Sequence, residues 1–179
     1  MSGQSIAQLV TERIIDPHGL RDTSFPTDSQ MPEPILRGYS QTSSDAPVAD
    51  VTESDPNVAW AAGAMISNLA DLRVWAKLLA DGTLLSPKTQ AARLQTQLLR
   101  PGQPVRYGLA IANVDGFLGH NGGILGYNTM MLHDPDIEAT IVTAANFSGP
   151  GEGAADTIAM QVLQQFYPER STQPAGARR

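Results

Sequence analysis

The run from residue 107 to 148 constrains the fold more than any other part of the chain. Three segments rich in apolar and β-branched residues, 107–114, 127–133 and 139–146, are separated by turn signals and read as an antiparallel meander. Asp115-Gly116 marks one hairpin turn, and Asp134-Pro135-Asp136 marks another. Between the first two segments stands Gly119-His120-Asn121-Gly122-Gly123. Glycines flanking a polar side chain on a strand let a substrate lie close to the backbone, and a glycine amide at a strand edge can donate to an oxyanion. The same residues also fit a plainer reading, in which the glycines mark turns or a bulge and His120 is an ordinary imidazole.

Helical periodicity surrounds this meander. Residues 5–15 carry Ile6, Leu9, Val10 and Ile14 at helical spacing and stop at Asp16-Pro17. His18, beside Pro17 and Gly19, reads as structural. Four prolines between residues 21 and 56 predict a winding loop, which Tyr39 anchors on the core. Asn68 with Asp71 approximates a capping box for a helix over 68–80, whose stripe is Leu69, Leu72, Trp75, Leu78 and Leu79. Ser86-Pro87 opens a helix over 87–98, and a last helix, 154–166, presents Ile158, Val162, Leu163 and Phe166. The fold class is therefore α+β, with 1–100 helical and looped and 105–168 carrying the sheet and final helix. Residues 169–179, rich in Pro, Gly, Ser and Arg, read as a disordered tail.

With 179 residues, 41% of them hydrophobic, the chain has material for one core, so residues 1–168 read as a single domain. A net charge of −6 argues against a nucleic-acid partner. The lack of cysteine removes disulfides, thiol catalysis and thiolate metal sites, and leaves the compartment open. Nothing approaches the roughly twenty apolar residues of a membrane span. The cluster His133-Asp134-Pro135-Asp136 reads as a turn and not as a metal site, because neighbours at a hairpin turn point apart.

Arg106-Tyr107-Gly108-Leu109, the glycine-rich core, then Gly126-Tyr127 and a strand ending Ala145-Asn146-Phe147-Ser148, resemble the C-terminal portion of serine β-lactamase-related proteins. That family includes class C β-lactamases, D-alanyl-D-alanine carboxypeptidases and related esterases. The segment Ala59–Pro87, with Ala62-Gly63-Ala64-Met65-Ile66-Ser67-Asn68-Leu69-Ala70-Asp71-Leu72, is similar to the family's helical region, which carries an A-G-G-x-x-S-T-x-x-D-L pattern. The segment Ile14–Phe25, with Ile14-Ile15-Asp16-Pro17-His18-Gly19-Leu20-Arg21-Asp22-Thr23, is similar to its I-x-x-P-L-G-M-x-D-T pattern. The three matches come in the family's order and span the chain to about Tyr167.

The resemblance implies acyl-enzyme hydrolysis of an amide or ester, without a cofactor or metal. It places the family's H-x-G motif at His120-Asn121-Gly122, with Asn121 where threonine is commoner. His120 would form a cleft wall that serves the proton relay or holds a carboxylate. Asn121 and Gly122 would contact substrate, and the Gly123 amide would donate to the oxyanion. The family's other motifs do not occur: Val74 and Leu85 stand three residues before Lys77 and Lys88, so there is no S-x-x-K, and no tyrosine begins Y-x-N. The expectation is thus an incomplete domain, entered downstream of its own beginning, inactive alone, and needing a complementary half or associating with itself. Intact relatives are often extracytoplasmic. The alternatives are a non-catalytic ligand-binding or partner-complementing module, or a new hydrolase site in which Ser148 or Ser67 works with His120.

Overall fold

The computed structural model describes residues 3–101, 105–151 and 153–171. Its centre is a six-stranded antiparallel sheet whose strands lie side by side in chain order: β3 (Gln97–Leu98), β4 (Val105–Tyr107), β5 (Ala112–Val114), β6 (Phe117–Ile124), β7 (Tyr127–Asp134) and β8 (Ala139–Ala145). A smaller sheet joins β1 (Tyr39–Ser40), β2 (Ala49–Asp50) and β9 (Phe147–Ser148). Two of the three expected strands are present as β7 and β8, and β6 adds a strand that carries the whole glycine-rich core.

Two helices cover the large sheet. Helix α3 (Leu69–Asp81) lies against β6, β7 and β8 on one face, and α5 (Ala154–Phe166) lies against β7 and β8 on the other. Phe117, Met130, Leu132 and Ile141 meet Ala159 and Leu163 of α5, whereas Leu118 and Ile111 meet Ala80 of α3. The stripes expected to be buried are only partly the contact surfaces: Leu163 is in the core and Val162 and Leu79 pack against it, but the residues pressed closest to the sheet are others. They are alanines: Ala76 and Ala80 in α3, Ala155 and Ala159 in α5, while Leu69, Ile158 and Phe166 are exposed and Trp75 is half-buried. A methyl side chain lets the helix axis approach the sheet closely, so the larger residues on either side are carried outward.

The segment 107–114 is two strands and not one. Gly108 N–H donates to the Ile111 carbonyl at 2.8 Å and Ala110 takes φ +52°, which folds a turn between β4 and β5. A Cβ on Gly108 would lie 2.1 Å from the Arg93 carbonyl oxygen, so only glycine fits. Arg93 fixes the turn by donating to the carbonyls of Leu79, Leu109 and Ala110 at 3.1–3.3 Å.

Elsewhere the expected elements stand with shifted ends. The first helix divides into α1 (Ile6–Val10), a π-turn (Thr11–Ile15) and α2 (Asp16–His18), which Gly19 ends in the left-handed conformation. Helix α4 (Pro87–Arg93) stops before β3, which occupies the end of the expected 87–98 helix. Pro168–Ser171 forms a last turn, α6, in place of the disordered start of the tail. Arg170 there reaches Asp134 at 2.9 Å. Residues 172–179 of the expected tail lie outside the described residues.

Two of the sequence patterns meet in space. Asp71, 8% exposed, accepts hydrogen bonds from the Asp22 amide and the Thr23 hydroxyl, both at 2.8 Å, while its own amide donates to Asn68. Thr23 also meets the Ser67 hydroxyl, and Ser24 pairs with Ile66. Ser67 is therefore part of a clasp tying the N-terminal segment to α3.

Candidate active site

Register decides which groups of β6 are free. The Asp115-Gly116 turn takes positive φ at both residues, 52° and 99°, as a tight two-residue hairpin requires, and closes the pair Val114 and Phe117. The Leu125-Gly126 turn closes Ile124 and Tyr127. In an antiparallel ladder, alternate residues point their amide and carbonyl to opposite neighbours. Counting from either turn gives the same result: Phe117, Gly119, Asn121 and Gly123 face the β5 side. Strand β5 ends opposite Gly119, so no strand of the described residues lies against Asn121 and Gly123.

Gly119 is needed for packing, because a Cβ there would sit 1.9 Å from the Met131 carbonyl oxygen. Gly123 is different. A Cβ on it would meet nothing within 4 Å, and its backbone is not in the left-handed region. Its bare amide faces open space.

The His120 ring lies along this open edge. Its Nδ1 meets the Asn121 carbonyl, which can only accept, so that nitrogen carries the proton. In that tautomer Nε2 accepts from the Tyr107 hydroxyl at 2.7 Å, the rings meeting edge to face with centroids 5.6 Å apart. Tyr107 was not singled out by the sequence, because its partner stands 13 residues away on another strand.

Next to the edge is a cleft of about 570 Å³ between the β6–β7 hairpin, β9 and the start of α5. Asn121, Gly122 and Gly123 line it, with Tyr127, Asn128, Ser148 and Asp156. His120 is not part of that lining, since alternation turns its Cβ to the face opposite Asn121. Asn128 is buried and fully used, donating to the Phe147 carbonyl and accepting from the Ala155 amide. The Tyr127 hydroxyl donates to the Leu36 carbonyl at 2.8 Å, and burial pushes its pKa above the usual tyrosine value. The Ser148 hydroxyl accepts from the Gly126 amide and touches no base, and Ser67 belongs to the clasp. Neither is set up as a nucleophile.

His133 and Asp134 are structural. Both are buried, His133 against the Thr140 hydroxyl and Asp134 against Arg170. Among the described residues no group of three or more side chains could hold a metal ion, and no helix is long and apolar enough to cross a membrane.

A sheet covered by helices on both faces, with a glycine-rich open strand edge beside a histidine, defines a β-lactamase-like hydrolase fold. The family model described as Beta-lactamase matches residues 1–165, and the chain belongs to that family. A D-aminopeptidase of Cereibacter sphaeroides is 25% identical over 181 residues, covering 98% of this chain and 34% of the relative. A D-stereospecific amidohydrolase from a Streptomyces species superposes with a TM-score of 0.79 at 32% identity, over 92% of this chain and 49% of that one. A D-amino acid amidase from Ochrobactrum anthropi superposes at 0.76 with 25% identity, over 94% and 52%. The chain thus spans about a third of the matched D-aminopeptidase and about half of each of these structures.

Proposed function

We propose that this chain is the C-terminal part of a serine hydrolase that acts on amides or esters through an acyl-enzyme, with residues 1–168 belonging to one incomplete domain. The observation that carries the reading is the open edge of β6, where the outward Gly123 amide lies three residues from the His120 and Tyr107 pair. The similarity to D-aminopeptidase and D-amino acid amidases supports amides of D-amino acids as the substrate class.

In this reading a serine hydroxyl from an S-x-x-K segment, carried by polypeptide outside this chain, attacks the substrate carbonyl. The Gly123 amide donates to the oxygen as it gains charge, a contact that strengthens as the tetrahedral intermediate forms. The serine proton passes to a base on that same polypeptide and then to the leaving amine. His120, held by Tyr107, flanks the open edge on the face away from the cleft that Gly123 lines, and its Nε2 exchanges a proton with the Tyr107 hydroxyl. Water repeats the cycle on the acyl-enzyme.

The chain alone therefore does not turn over. Incubation with fluorescent penicillin and with a fluorophosphonate probe tests this: no covalent adduct forms on the isolated chain, whereas mixing with a family N-terminal half bearing S-x-x-K and Y-x-N restores labelling. An adduct on this chain by itself would overturn the reading.

A further inference from the structure

Of the ten described residues lining the cleft beside Gly123, Asp156 is the one with a formal charge. It stands half-buried in the first turn of α5 and makes no hydrogen bond or ion pair among the described residues. The positive end of a helix ordinarily welcomes an anion. Here that end is already answered twice, because the Ala155 amide donates inward to Asn128 and the Asp156 carboxylate sits over the first turn. Among the described residues no lysine or arginine lines the cleft to receive a carboxylate. Ser148, Asn128 and Tyr127 spend polar atoms on the backbone, which leaves Asn121 and Asp156 as the polar side chains of the lining without a partner among the described residues.

We propose that Asp156 selects substrates with a protonated amine, so that the cleft takes amino-acid amides with a free α-ammonium group and rejects compounds ending in a carboxylate. This rests on reading the cleft as the substrate's. The ammonium would sit against Asp156, with the reacting carbonyl toward Gly123. A carboxylate in the same place would meet like charge with no cation to offset it.

The isolated chain provides the test. In ¹⁵N-labelled protein, the amides of Gly122, Gly123 and Asn128 are followed by NMR during titration with D-alaninamide, neutral N-acetyl-D-alaninamide and anionic N-acetyl-D-alanine. D-alaninamide is expected to shift these amides and to bind about tenfold more weakly to Asp156→Asn, a near-isosteric change that removes only the charge. The neutral probe is expected to bind both proteins alike. The inference fails if the anionic probe binds better than D-alaninamide, if Asp156→Asn leaves the D-alaninamide affinity unchanged, or if no probe moves these signals. Labelling after complementation reports separately on the hydrolase reading, so a charge-selective cleft with no restored labelling would sink that reading and leave this one standing.

Discussion

The Tyr107 hydroxyl and His120 Nε2 lie 2.7 Å apart, and this contact joins two strands at the point where the large sheet opens. Replacing Tyr107 with Phe removes the donor and keeps the ring. The expected cost is one hydrogen bond, about 0.5–1.5 kcal/mol of stability. The sharper readout is the ¹⁵N spectrum of the imidazole: wild-type protein shows the Nδ1–H tautomer, and Tyr107→Phe shows a mixture. An unchanged tautomer in the variant would mean that the Asn121 carbonyl alone fixes the ring.

The glycines of β6 should separate sharply on substitution. Gly119→Ala forces a methyl into the Met131 carbonyl, at 1.9 Å in the unrelaxed backbone, and is expected to cost upwards of about 3 kcal/mol or to prevent folding. Gly123→Ala meets open space and should stay within about 0.5 kcal/mol of wild type in a urea titration. Equal effects at the two positions would contradict the register.

How much of this was legible beforehand follows from the range of each interaction. Asp115-Gly116 and the capping residue Asn68 act over a few positions, and the sequence located both. The split of 107–114 depends on Arg93 reaching the carbonyls of Leu109 and Ala110, which no local pattern reports. The burial of Ala76 and Ala159 in place of Trp75 and Phe166 depends on how closely each helix meets the sheet, a property of two surfaces and not of one. His120, Asn121, Gly122 and Gly123 were located through a motif. Tyr107 and Asp156 enter only once β4 and α5 are placed beside β6.

Arg170 is expected to matter more than its place near the end suggests. Its guanidinium, with the side chain 13% exposed, meets the Asp134 carboxylate, 1% exposed, at 2.9 Å. Removing a cation from a buried carboxylate costs about 3–5 kcal/mol, so Arg170→Ala should lower the denaturation midpoint substantially. Combining it with Asp134→Asn should recover most of the loss. If the double variant is no more stable than Arg170→Ala, the pair is not the source of the effect.

Acid should loosen the small sheet first. Hydrogen bonds from Thr52, then from Arg37, hold the Asp50 carboxyl at a pKa of about 2, below its ordinary 3.8. A depressed folded value means that the stabilisation is complete above the ordinary value and is lost as pH falls from about 4 through about 2. Carbon-detected NMR titration of Asp50 should give that low midpoint in wild type and a higher one in Thr52→Val. A midpoint unmoved by the substitution would assign the shift to another cause.

The two-residue length of the Leu125-Gly126 turn sets the chemistry of the strand it follows. Because backbone groups alternate along a strand, and the Asp115-Gly116 turn sets the same parity from the other end, the Gly123 N–H is turned away from β7 by both hairpins at once. The eight-residue span of β6 between its two turns is thus a parity lock: one residue more or fewer within it would set the two hairpins in conflict over which way Gly123 points.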